Sequence, residues 1–260
     1  MRITSSRHTT GIYFLLQAQH HGYPFENIFV PSSFYMGRTT NTTAVIFDMD
    51  GVLLDSEPAW KKAEYEVFTA LGAEVLPEFT RRTASMTTAE VTAFWYKMYP
   101  WQGKSIPAVE NEVIDLVSHY IRTSVPLSDG LLPLLSMIHT TGYKIGLSTN
   151  APARLIPLVM EKSGIGRFFD AISSSDHEVK GKPHPAVYLR TAEKLGVIPT
   201  QCIVFEDSLH GLAAAKNAGM KTVVIPHPSL SSHTGFDSAD IKISRLSDFT
   251  PKHLSALAGY

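Results

Sequence analysis

Apolar and polar positions divide the chain into two textures. From residue 127 onward, short apolar runs alternate with amphipathic stretches. The runs are Tyr143–Ser148, Cys202–Phe205 and Thr222–Ile225, with weaker ones near Asp170–Ile172 and Ala239–Ile243. Between them, apolar residues recur at helical spacing over about 130–141, 152–163, 185–195 and 208–218, and a short helix is expected at the end. Gly142, Gly164 and Gly219 close three of these helices. Alternation of apolar strands with helices predicts an α/β fold with a doubly wound parallel sheet. Ala44–Phe47 has the same strand texture and belongs to that sheet.

Between Phe47 and residue 127 the texture is helical throughout. Ser56-Glu57-Pro58 reads as a helix entry with Ser56 as N-cap, and the helix runs from Trp60 to Leu71 and closes at Gly72. Thr87-Thr88-Ala89-Glu90 contains a capping box that opens a second helix through Phe94, Trp95 and Met98. A third runs from Ser105 to about Arg122 with a stripe of Val109, Val113, Leu116, Val117, Tyr120 and Ile121. The predicted organisation is a core of residues 43–58 and 127–260 interrupted by an α-helical insert, 59–126. Trp95, Tyr96 and Trp101 are expected in the insert's own apolar centre. Residues 1–42 mix Ser, Thr, His and Pro with one apolar cluster, Ile12–Leu16, too short for a secretory signal. They are expected to be a poorly ordered extension, or sequence upstream of a true start at Met36.

Composition narrows the function without choosing it. The 260 residues are 44% hydrophobic and 18% charged with a net charge of −1, so nothing in the charge balance calls for nucleic acid. No apolar stretch approaches the length of a membrane span. Cys202, the single cysteine, has no partner for an intramolecular disulfide, which fits a reducing, cytoplasmic setting. A monomer is compatible with this pattern.

The chemistry collects where strands end. In open parallel sheets ligands bind outside the carboxyl ends of the strands. There the chain carries Asp48 and Asp50 after the first strand, Thr149-Asn150 after the second and Glu206-Asp207-Ser208 after the fourth. Lys182 lies in the loop Lys180-Gly181-Lys182-Pro183-His184-Pro185. Burying carboxylates without partners costs several kcal/mol, so two acids closing an apolar strand point to a site. Asp48, Asp50 and Asp207 are oxygen ligands suited to Mg²⁺, with Glu206 acting beside them through water or a neighbouring ligand. The expected substrate is a small phosphate ester. Lys182 supplies a second positive charge, and the Thr149 hydroxyl and Asn150 N–H hold phosphate oxygens. Asp48 is placed to attack phosphorus, and Asp50 to protonate the leaving oxygen and later activate water. His177, His184 and His210 are left out, because Mg²⁺ prefers oxygen.

Asp48-x-Asp50-Gly51-Val52, Thr149, Lys182-Pro183 and Glu206-Asp207-Ser208 resemble the four motifs of the haloacid dehalogenase superfamily. Ser208-x-x-Gly211-x-x-Ala214-Ala215 is similar to its sugar-phosphate phosphatase and β-phosphoglucomutase branch. The resemblance covers residues 44 to about 250. It implies a Rossmann-like core, a mobile helical cap over the substrate, and Mg²⁺-dependent hydrolysis through an aspartyl-phosphate. Asp-Ser-Glu-Pro-x-Trp and the segment from Phe94 to Gly103 resemble the bacterial hexitol phosphatases, also called 2-deoxyglucose-6-phosphate phosphatases. The branch's mutases typically carry a cap Gly-x-x-Arg, whereas the nearest stretch here is Ala84-Ser85-Met86-Thr87-Thr88, close to Arg81 and Arg82. A phosphomutase is the alternative reading.

Overall fold

A computed structural model describes residues 43–83 and 86–259. The expectations for residues 1–42 and for Ala84 and Ser85 lie outside them. Strand β1 (Ala44–Phe47) is fully buried and is the axis of the sheet. Its side chains alternate between two apolar layers, Val45 and Phe47 in one, Ala44 and Ile46 in the other. The remaining strands are β2 (Lys144–Thr149), β3 (Ala171–Ser174), β4 (Cys202–Glu206), β5 (Lys221–Val224) and β6 (Ile241–Lys242). All pair in parallel in the order β3-β2-β1-β4-β5-β6. The chain winds outward from β1 in one direction and then in the other, so the switch point lies between β1 and β4.

Four helices separate β1 from β2: α1 (Glu57–Ala70), α2 (Pro77–Thr83), α3 (Thr88–Met98) and α4 (Ile106–Thr123). Val109, Val113, Val117 and Ile121 bury one face of α4 against α1 and α3, where Phe68 stacks on Trp95 at 5.6 Å. Then follow α5 (Leu131–Thr140), α6 (Ile156–Glu161), α7 (Ala186–Leu195), α8 (Leu209–Asn217) and α9 (Pro251–Ala258). Leu134, Val159 and Leu254 cover one face of the sheet from α5, α6 and α9. Val187, Ala192, Ala214 and Ala215 cover the other from α7 and α8. Helices on both faces make the sheet doubly wound, as its fully apolar strands require.

Several local expectations change. The capping box forms: Glu90 N donates to Thr87 Oγ1 and Thr87 N to Glu90 Oε2. Residues 152–163 are not one helix but a 3₁₀ turn, the short α6 and a second 3₁₀ segment, Lys162–Phe168. Pro157 lacks an N–H and fits only a first turn, so it starts α6 instead of bending a longer helix. The run at 239–243 yields only two strand residues. Trp95 and Trp101 are buried, but Tyr96 packs edge-on against Trp101 and stays exposed. Ser56 occupies the N-cap position of α1 without making a side-chain cap; its hydroxyl is used elsewhere.

Candidate functional site

The register of the sheet assembles the site. β1 pairs Phe47 with Leu147 on one side and Phe205 on the other. Continued by one residue, that register sets Asp48 between Ser148 and Glu206, and Asp48 N still donates to the Phe205 carbonyl at 3.0 Å. Lys182 reaches into this row from its loop. Its ammonium donates to Asp48 Oδ1 (2.5 Å), Glu206 Oε1 (2.6 Å) and the Ser148 carbonyl (3.0 Å), which uses all its protons. The Asn150 side chain fixes that loop: Oδ1 accepts from Lys182 N at 2.9 Å and Nδ2 donates to Lys182 O at 3.4 Å.

Glu206 is saturated. Oε1 accepts from Lys182 and from the Tyr188 hydroxyl (2.6 Å), and Oε2 from Asp207 N, Ser208 N and Ser208 Oγ. Gly211 makes room for it, since a Cβ there would lie 1.8 Å from Glu206 Oε1. Gly51 does the same for Asp207: at φ +77° it turns the chain, and a Cβ would lie 2.0 Å from Asp207 Oδ2. Adjacent strand residues point opposite ways, yet Glu206 and Asp207 both reach the cluster, because β4 ends at Glu206 and Asp207 lies beyond the alternation.

Carboxylate oxygens of Asp48, Glu206 and Asp207 lie within 4.8 Å of one another. Asp50, expected as a further metal ligand, is outside that group. Its Oδ1 accepts from Ser56 Oγ (2.5 Å) and Trp60 Nε1 (2.9 Å). Thr149 is buried, and its Oγ1 accepts from Ala151 N at 2.9 Å, which leaves the hydroxyl proton to donate.

Four carboxylates thus crowd one ammonium. Burial pushes Asp48 up to about 7, with Glu206 and Asp50 adding and Lys182 opposing. Burial, with Glu206 and Asp48, drives Asp207 well above the usual range. Asp50 is also raised by burial, against its bonds from Ser56 and Trp60. For Glu206 burial is overcome by Lys182, and its carboxyl is held below the ordinary range. For Lys182 burial is overcome by Asp48 and Glu206, which hold it charged. The excess negative charge and the all-oxygen donor set suit a hard divalent cation.

Tyr188 was missed in the sequence. It looks like one more apolar residue of α7, yet its hydroxyl anchors Glu206 and its ring lies 4.7 Å from the Lys182 ammonium. Of the histidines left out, His184 and His210 line a cleft of about 850 Å³ that opens onto Lys182 and Asn150. Its walls come from the start of α3, Glu110 of α4 and residues 175–185.

A family model described as haloacid dehalogenase-like hydrolase matches residues 42–219. Hexitol phosphatase B of Escherichia coli is 36% identical over 224 residues, 84% of this chain and 99% of that protein. The phosphorylated carbohydrates phosphatase of Thermotoga maritima is 29% identical over 180 residues, 69% of this chain and 83% of that protein. A β-phosphoglucomutase structure from Clostridium difficile covers 84% of this chain and 97% of its own, with a TM-score of 0.72 and 22% identity. At that identity the likeness is one of fold.

Proposed function

The chain belongs to the haloacid dehalogenase-like hydrolases, and from that membership we propose that it is a phosphatase of small sugar or polyol phosphates, of hexitol or 2-deoxyglucose-6-phosphate type. The observation that carries this reading is the division of labour between two acids. Asp48 is paired to buried Lys182, while Asp50, two residues on, is held apart by Ser56 and Trp60.

Lys182 occupies Asp48 Oδ1 and leaves Oδ2 for the attack on phosphorus. A bond forms between Oδ2 and phosphorus, and the ester P–O bond breaks. Asp50, raised by burial, gives its proton to the leaving oxygen. It then takes a proton from water, whose oxygen displaces Asp48 and releases inorganic phosphate. The Thr149 hydroxyl and the Asn150 N–H hold the phosphoryl oxygens, and Lys182 balances their charge. Asp48 and Asp207 are the residues that would hold Mg²⁺, together with Asp50, while Glu206, with every lone pair taken, supports them through Lys182 and Ser208. When bound, that ion screens phosphate from carboxylate and stabilises charge in the transition state. The helical block α1–α4 would serve as the cap, entered through Gly51–Pro58.

An Asp48→Asn variant tests the assignment. Turnover on a panel of sugar and polyol phosphates should fall by at least about a thousandfold, with circular dichroism and melting cooperativity retained. A folded variant that keeps substantial phosphatase activity would end the proposal.

A further inference from the structure

The cleft beyond Lys182 has two ends of opposite character. Lys180 and His184 flank Lys182 in the chain, and His210 follows Asp207 at the start of α8, so the basic groups sit with the phosphate end. Among the acids lining the cleft, Glu178 is paired with Arg190 at 3.3 Å and Glu90 caps α3. Glu110 and Asp176 are left with no cation bonded to them.

These two residues face each other across the cleft, one from each wall. Arg154 tethers α4 next to Glu110, donating to Asp115 Oδ1 at 2.7 Å and to the Asn111 carbonyl at 3.0 Å. The neighbouring Ala153 N donates to Asp176 Oδ2 at 2.7 Å. The turn at 153–154 therefore holds Asp176 on one side and the Glu110 end of α4 on the other. Glu110 is half-buried; burial and the nearby Asp176 push its carboxyl up, and Arg154 pulls it down. Two carboxylates held at one end of a cavity lack hydrogen-bond donors, and unpaired polar groups of this kind are costly. Hydroxyl groups are donors that match them, and a second phosphate is what they would repel.

We propose that Glu110 and Asp176 are specificity-determining residues that accept hydrogen bonds from the hydroxyls of a neutral, polyhydroxylated leaving group and exclude substrates with a second phosphate. This rests on the phosphatase reading, with Lys182 and Asn150 at the phosphate end. The site then selects monophosphates of neutral sugars or polyols over bisphosphates by charge, at the end of the cleft away from the chemistry.

The test compares kcat/KM for p-nitrophenyl phosphate, 2-deoxyglucose-6-phosphate and fructose bisphosphate in the wild-type chain, in Glu110→Gln, and in Glu110→Gln/Asp176→Asn. The wild type should prefer the monophosphate over the bisphosphate by about tenfold or more. In the double variant that preference should collapse, and the ratio of sugar monophosphate to p-nitrophenyl phosphate should fall by about tenfold, chiefly through KM. Ratios that stay at the wild-type value in both variants overturn the proposal, as does a wild type that uses the bisphosphate equally well. If the wild type hydrolyses none of the three, the phosphatase reading itself is wrong. Hydrolysis of p-nitrophenyl phosphate without the expected ratios removes only the inference about Glu110 and Asp176.

Discussion

Glu206 and Glu110 are both carboxylates withdrawn from water, one at the sheet edge and one on the helical block, and their surroundings are opposites. Glu206 has donors on both oxygens from a lysine, a tyrosine, two main-chain amides and a serine. Glu110 has none among the described residues, and the nearest resolved influence besides burial is another acid. The sheet edge is over-determined: its groups fix one another before any ligand arrives, which is what a reacting centre needs to keep its geometry. The helical wall keeps its polar groups unspent, which is what a surface needs if its partner is to come from outside. The first kind of region resists substitution through stability, and the second responds through selectivity.

Removing the hub of the over-determined region should have the largest effect. Lys182→Met leaves Asp48 and Glu206 facing each other without the ammonium that both contact. Breaking a buried ion pair by deleting one partner costs about 3–5 kcal/mol, so the urea midpoint should drop by the equivalent amount, and turnover should be lost as well. The comparison fails if this variant is as stable as the wild type, or if Glu110→Gln costs as much.

The same contrast explains what could be read from the chain. Asp48, Asp50, Lys182 and Glu206-Asp207 were legible because charge at the end of an apolar run is anomalous locally, and a parallel sheet brings strand ends to one edge. The doubly wound sheet followed from the alternation of apolar strands and helices. Tyr188 was not legible: its bond to Glu206 spans 18 residues, and nothing in the helical pattern of α7 marks a hydroxyl as buried. Ser56 was read as a cap because its neighbours fit that pattern, yet Asp50, being buried, holds its hydroxyl more strongly than a solvated helix end does. Glu110 and Asp176 each look like ordinary surface acids. Their relation exists only across the cleft, between residues far apart in sequence.

Trp60 connects the two regions, since it belongs to α1 but donates to Asp50 at 2.9 Å. Trp60→Phe removes a donor to the ionised carboxylate, so the Asp50 pKa should rise above its already raised value. Asp50 must be protonated when the leaving group departs, so the alkaline limb of kcat/KM against pH should move upward, with kcat about tenfold lower. An alkaline limb that stays put or moves down would detach Trp60 from the acid.

The smallest effect on stability should come from Arg154, and it sharpens the comparison most. Arg154 and Asp115 are both largely exposed, so their 2.7 Å pair belongs to the class worth at most about 1 kcal/mol. Arg154→Gln should barely move the melting temperature. It should nevertheless raise KM for sugar monophosphates several-fold more than for p-nitrophenyl phosphate, because the arginine also holds the Asn111 carbonyl beside Glu110. Salt provides a second handle, since an exposed pair is screened over a Debye length of about 8–10 Å. Raising ionic strength should bring the wild-type KM toward that of the variant, while the variant changes less. Lys182, enclosed with its carboxylates, should show no such sensitivity in stability. If Arg154→Gln instead unfolded the chain, the helical wall would be as over-determined as the sheet edge, and its unpaired acids would need a structural explanation in place of a substrate.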